Sequence, residues 1–175
     1  APYAVSAAGA LMRDLDETQK NALSHINGMR LLNRSSYMVL DATTRRNLEL
    51  TQPLRFGGNK RNTLIHLLDH AKTGMGGRML RDWIDRPLQS IEEIEERLAA
   101  VGELKDNLTQ RKQIQELLHG MYDIERLCSK IVYGSVNARD CIALVQTLQR
   151  VPIIKETIRT CESDALSGIS RDMDE

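Results

Sequence analysis

At 175 residues the chain can bury one sizeable core, or two small helical subdomains, without staples. Its 24 Lys and Arg balance 24 Asp and Glu, so no net field pulls it toward phosphate backbones, and any DNA contact has to come from a local patch. Aromatic residues are 3% of the chain while Leu, Ile, Glu, Arg and Lys abound, a mix that disfavours sandwiches and barrels and predicts a mainly α fold.

Residues 4–23 carry Val5, Ala8, Leu11, Met12, Leu15 and Ala22 at three- and four-residue spacing, which predicts one amphipathic helix stopped by Asn27-Gly28. Residues 37–40 are apolar, rich in strand formers and too short for a helix, so one short strand segment is expected there. Asp41 can cap a helix running to about Leu50, with Pro53 blocking continuation. A polar loop, Phe56-Gly-Gly-Asn-Lys-Arg61, precedes renewed helical spacing through Leu64, Leu67 and Leu68, and a second break is expected at Thr73-Gly-Met-Gly-Gly77. Met79, Leu80, Trp83 and Ile84 form an apolar face that stops before Pro87.

Ser90 with Glu93 reads as a capping box opening the clearest long helix, with Ile91, Ile94, Leu98, Val101, Leu104 and Leu108 along one stripe. Thr109 is expected to cap the next helix, to Leu118, and Gly120 to separate it from the row Met121, Ile124, Leu127, Cys128, Ile131 and Val132. Asn137 with Asp140 opens a further helix, and Pro152 a last one through about Cys161. Short connections predict a bundle of antiparallel helices, while residues 162–175, polar with isolated apolar positions, are expected to fray.

Little in the chain has the pattern of a catalytic group. Gly57-Gly58-Asn59-Lys60 lacks the spacing and hydroxyl of a phosphate-binding loop. The glycines at 74–77 precede a helix, where free N–H groups could hold an anion, but they read as turn chemistry. His66 and His70 lie four apart with Asp69 between, yet the glutamate of a zinc helix and a third ligand are missing, so no metal is expected. Cys128, Cys141 and Cys161 are odd in number and widely spaced, which excludes a disulfide framework and predicts small buried hydrophobes in a reducing compartment. Trp83 is expected in the core rather than as a stacking platform. Arg45, Arg46, Arg55, Lys60 and Arg61 make the most concentrated basic region, read as a solvated face with ion pairs to Glu49 and its neighbours, and alternatively as a weak DNA contact.

The stretch Leu40-Asp-Ala-Thr-Thr-Arg-Arg-Asn-Leu-Glu-Leu50 resembles the strand-to-helix signature of the MutS mismatch-repair ATPases, carried by Asp41, Thr44, Arg45, Arg46, Asn47, Leu48 and Glu49. Upstream, Ala7-Ala-Gly-Ala-Leu-Met12 with Thr18-Gln19 is similar to a helix of the same family. Downstream, Gly76 with Arg78-Met-Leu80, Trp83-Ile84, Arg86-Pro87-Leu88, Glu96-Arg97-Leu98, Asp123-Ile-Glu-Arg-Leu127 and Arg139-Asp140 resemble its successive core-domain markers, in order. The family often has Thr-Pro-Met-Gly-Ser where this chain has Thr73-Gly-Met-Gly-Gly77, which loosens that turn by adding backbone entropy.

The resemblance implies a helix at the connector/core junction over residues 1–33 and an incomplete core (lever) domain over residues 34–175, ending before the clamp insertion. It implies a structural and allosteric module that links an ATPase to a DNA-embracing clamp; for such a module the glycine pattern offers Gly57, Gly58, Gly74, Gly76 and Gly77 as candidate hinges. No catalytic residue and no cofactor is expected in the chain, ATP and Mg belonging to the parent protein. The implied partners are the clamp, connector and ATPase domains, and, through a dimeric parent, mismatched DNA and a MutL-type protein. No apolar run reaches the roughly 20 residues of a membrane span, so the implied location is the bacterial cytoplasm, with the nucleoid reached through DNA. The alternative reading is a self-standing helical nucleic-acid-binding module built on the arginine patch.

Overall fold

The computed structural model of the chain describes residues 2–19, 28, 36–55 and 60–173. The chain divides into two units, Ala1–Asn33 and Arg34–Glu175. In the first, α1 spans Pro2–Gln19, and its Thr18 hydroxyl donates back to the Asp14 carbonyl at 2.7 Å. The expected stop at Asn27 lies outside the described residues.

The second unit carries α2 (Ala42–Asn47), a 3-10 turn (Lys60–Asn62), α3 (Leu64–Leu68), α4 (Gly74–Asp85), α5 (Ile91–Asp106), α6 (Leu108–His119), α7 (Ile124–Val132), α8 (Ala138–Leu148), α9 (Val151–Arg159) and α10 (Asp164–Asp172). Most begin at a capping side chain. Asp41, Thr63, Thr73, Ser90, Asn107, Asp123 and Asn137 each accept the backbone N–H three residues on, satisfying a donor that the helix itself leaves free. Asn137 and Asp140 complete a reciprocal box. At Ser90 the box is one-sided, because its hydroxyl accepts from Glu93 N–H but donates to the Glu92 carboxylate at 2.7 Å. Asn107, not Thr109, caps α6, and it also ends α5, so two helices meet at a single residue.

α7 stops where Gly134 enters the left-handed region at φ 66°. Ser135 N–H reaches the Lys130 carbonyl at 2.9 Å and Gly134 N–H the Ile131 carbonyl at 3.0 Å, the paired bonds of a glycine-terminated helix.

Residues 37–40 make an isolated bridge rather than a sheet. Tyr37 pairs antiparallel with Leu88, and Met38 N–H donates to the Pro87 carbonyl at 2.8 Å. The glycines at 74–77, expected as a break, lie in the first turns of α4, because the Thr73 hydroxyl captures Gly76 N–H at 3.0 Å and starts the helix there.

The expected frayed end at 162–175 is also overturned over most of its length. α10 packs against α9 and α5, with Ser170 buried and its hydroxyl donating to the Lys155 carbonyl at 3.3 Å. The Glu103 carboxylate of α5 accepts Glu162 N–H at 2.7 Å and Ser163 N–H at 2.9 Å, so the α10 start is held by a remote side chain. The buried set around which α5 to α10 gather includes Leu127, Ile154, Ile158 and Cys161 together with Gln110, Thr147 and Ser170.

Candidate functional site

The signature residues around α2 work as a local scaffold. The Asp41 carboxylate accepts Thr44 N–H at 2.7 Å, and that bond holds its carboxyl below its ordinary 3.8. The Arg45 side chain turns back to donate to the Leu40 carbonyl at 3.1 Å and faces Asp85 across 3.8 Å. Glu49 takes a positive φ of 49°, ending α2, and its carboxylate accepts Leu54 N–H at 2.6 Å. The Glu49 and Leu50 carbonyls then receive the N–H groups of Leu64 and Ile65 at 3.1 and 2.9 Å, joining α2 to the start of α3. Arg46, Asn47 and Leu48 are exposed.

Within the basic region the described side chains differ in setting. Arg45 is half-buried and engaged within the fold, whereas Arg46, Arg55 and Arg61 are exposed. Gly57, Gly58 and the Lys60 side chain lie outside the described residues. Arg45 has Asp85 as an ion partner.

At the other glycine cluster the missing side chains leave room for close contacts. A Cβ on Gly74 would stand 3.2 Å from an Asp123 carboxylate oxygen, and one on Gly76 would stand 3.2 Å from the Thr73 hydroxyl. Gly77 has ordinary room, 3.6 Å to Asp69.

Beside these glycines sits a dense ionic network. The Arg78 guanidinium makes a two-pronged contact with Asp123, at 2.7 and 2.8 Å, and reaches the Glu125 carboxylate through Nε at 3.1 Å and through a second nitrogen. Hydrogen bonds from Arg78, helped by Arg126 N–H, pull the Asp123 carboxyl from its ordinary 3.8 to about 2, against the opposing effect of burial. The same pairing raises Arg78 further above its ordinary range, so both groups stay charged. Residues 78 and 123–127 occur in two of the sequence markers quoted above, but nothing in linear order says that those markers meet.

Other expected residues move as well. Trp83 is not core: it is 38% exposed, with the Arg97 guanidinium 3.9 Å above its ring centre. α3 ends at Leu68, which leaves His70 beyond the helix and off the face of His66. Among the described residues no three His, Cys, Asp or Glu side chains converge on a metal-sized site. Cys128 and Cys141 are exposed and only Cys161 is buried, where desolvation and the nearby Glu103 charge push its thiol upward. No helix among the described residues is long and apolar enough to cross a membrane.

The sequence profile of MutS domain III matches residues 43–173. The chain is 47% identical over 97% of its length to the DNA mismatch repair protein MutS of Lachnoclostridium phytofermentans. It is 46% identical over 98% to that of Pelotomaculum thermopropionicum, and 44% identical over 91% to that of Acetivibrio thermocellus. It spans 18%, 20% and 18% of those three proteins, respectively. With the match running from the capped α2 through α10, the chain belongs to the MutS domain III family.

Proposed function

We propose that this chain is the structural and allosteric core, or lever, of a MutS-like mismatch-repair ATPase. In this reading it transmits displacement between an ATPase and a DNA clamp that both lie outside its sequence. The observation that carries the proposal is the family match over residues 43–173, together with relatives named as DNA mismatch repair proteins that are about five times longer. Mismatch recognition, ATP and Mg binding, contact with a MutL-type protein, dimerisation and association with cellular DNA are then properties of the whole protein.

A junction such as Asn107, where α5 and α6 meet at one capped residue, suits such a role, because hydrogen-bonded rods move as rigid bodies and concentrate bending at their junctions. The stripe Ile91, Leu98 and Val101 on α5 is 60–66% exposed, which fits a helix that packs against another part of a longer polypeptide. The glycines Gly57, Gly58, Gly74, Gly76 and Gly77 are the proposed articulation points. Gly77 is the informative one to change, since a methyl group fits there. Gly77→Ala in the whole protein is expected to slow ATP-driven release from mismatched DNA, and an unchanged release rate would sink the hinge.

The direct test is fluorescence anisotropy of this chain with a mismatched duplex and its paired twin across a salt series. Absent or weak binding, equal for both duplexes, is expected of a lever. Tight or mismatch-selective binding that is lost when Arg46 and Arg55 are neutralised would replace the lever with the alternative, a helical nucleic-acid-binding module.

A further inference from the structure

The broad helix packings described in the second unit fall inside two blocks. α3 rests on the 3-10 turn and on α4, while α5 to α10 rest on one another. The first block, residues 36–88, is closed on itself. Tyr37 bridges Leu88, Met38 N–H holds the Pro87 carbonyl and Arg45 faces Asp85, so the first residues of the block are tied to its last. Inside it, backbone bonds join α2 to α3 through Leu64 and Ile65. Ser90 already caps the first helix of the second block, which leaves Gln89 as the junction.

Between the blocks lies an open cleft of about 560 Å³, with Ile65, Lys72 and Arg81 on one wall and Asp123 and Arg126 on the other. Two arginines, one from each block, reach across. Arg78 of α4 grips Asp123 and Glu125 at the α7 start, and Arg97 of α5 lies on Trp83 of α4.

We propose that these two arginines form a clasp holding two preformed blocks that swing about Gln89 when it opens. This goes beyond the lever reading and does not depend on it, because it concerns the chain by itself. The two kinds of bonding respond differently to solvent. Each block also has links that salt leaves in place: backbone bonds and the buried Leu50 and Ile65 in the first, and in the second the buried Leu127, Ile154 and Ile158 with the neutral bonds of Gln110 and Thr147, beside exposed ion pairs such as Arg45–Asp85 and Lys130–Asp140. The clasp is ionic and partly exposed, with 41% of the Arg78 side chain and 68% of the Glu125 side chain open to water. Salt screens exposed charges and leaves apolar burial intact, so the clasp loosens while the blocks stay folded.

The test places one spin label on Leu67→Cys, an exposed position of α3, and another on the native Cys141 of α8, in a Cys128→Ser background. Pulsed dipolar spectroscopy then reads the distance distribution between the blocks. A narrow distribution is expected in the parent chain. Arg78→Gln and Asp123→Asn are each expected to widen it about twofold with helix content unchanged, since asparagine still caps α7. A distribution in Arg78→Gln as narrow as the parent's overturns the clasp. Should the variants lose helix, the parent chain at about 1 M salt decides: widening upholds the clasp, and an unchanged width overturns it.

Discussion

Thr147 is the most completely buried residue described, with 0% exposure, and it is polar. Its hydroxyl donates to the Ala143 carbonyl at 2.8 Å and accepts Tyr122 N–H at 3.1 Å, so one side chain serves its own helix and the loop before α7. Thr147→Val keeps the shape and strands the Tyr122 donor. We expect a loss of about 1–2 kcal/mol, measured by urea unfolding. Gly120 is a second such point. The Arg150 guanidinium donates to the Leu117 carbonyl at 3.0 Å and occupies the space a side chain would need, 2.3 Å from the Cβ position of residue 120. Gly120→Ala must displace that guanidinium, the far end of a flexible side chain, and with it the bond to the Leu117 carbonyl. It is expected to cost about 1 kcal/mol, the worth of that one bond, and Arg150→Ala in the same chain should absorb most of that loss. Equal costs in both backgrounds would show that Arg150 is not the obstacle.

Capping residues made several element starts legible in the sequence, because Asp41, Ser90 and the Asn137–Asp140 pair act on the backbone within three residues of themselves. Features that a distant group decides leave no such local trace. Nothing within residues 162–175 says that Glu103, about sixty positions earlier, receives the N–H groups of Glu162 and Ser163, so that segment read as frayed. In the same way residues 37–40 showed strand chemistry but not their partner Leu88, and Trp83 read as core because Arg97 is invisible in linear order. Contact with Ser163 first, and then Glu162 N–H, holds the Glu103 carboxyl below its ordinary 4.5. Its help is therefore fully present above that range and fades as pH falls below it. Glu103→Ala should weaken the seating of α10 by on the order of 1 kcal/mol, the typical worth of a helix cap. Hydrogen exchange would register this as faster exchange over residues 164–172, with α7 and α8 unchanged. Faster exchange everywhere would mean that Glu103 supports the whole bundle rather than one helix.

At the scale of the whole molecule, the ordered series of family markers made the class of fold and the family readable, whereas the contact between two of those markers was not. Arg78 and Asp123 are forty-five residues apart, and ion pairing at that separation leaves no periodic trace. It does leave a pH trace. Arg78 holds the Asp123 carboxyl at about 2, below its ordinary 3.8, so the native state binds fewer protons than the unfolded chain between those values. Stability supplied by the pair is complete above that window and is lost as pH falls from about 4 to about 2. Glu125, Arg126, Lys72, Arg81 and Asp69 surround the pair, and lowered carboxyls elsewhere, at Asp41, Glu92, Glu103 and Asp140, give the chain an acid slope of their own. The informative quantity is thus the difference between the parent chain and Asp123→Asn, which keeps the α7 cap and removes only the charge. Urea midpoints should separate the two near pH 6, with the parent more stable. They should converge as the parent Asp123 takes up its proton near pH 2. No gap between the two chains near pH 6 would mean that Asp123 acts through its cap alone, which asparagine preserves, and that its charge does not hold the blocks together.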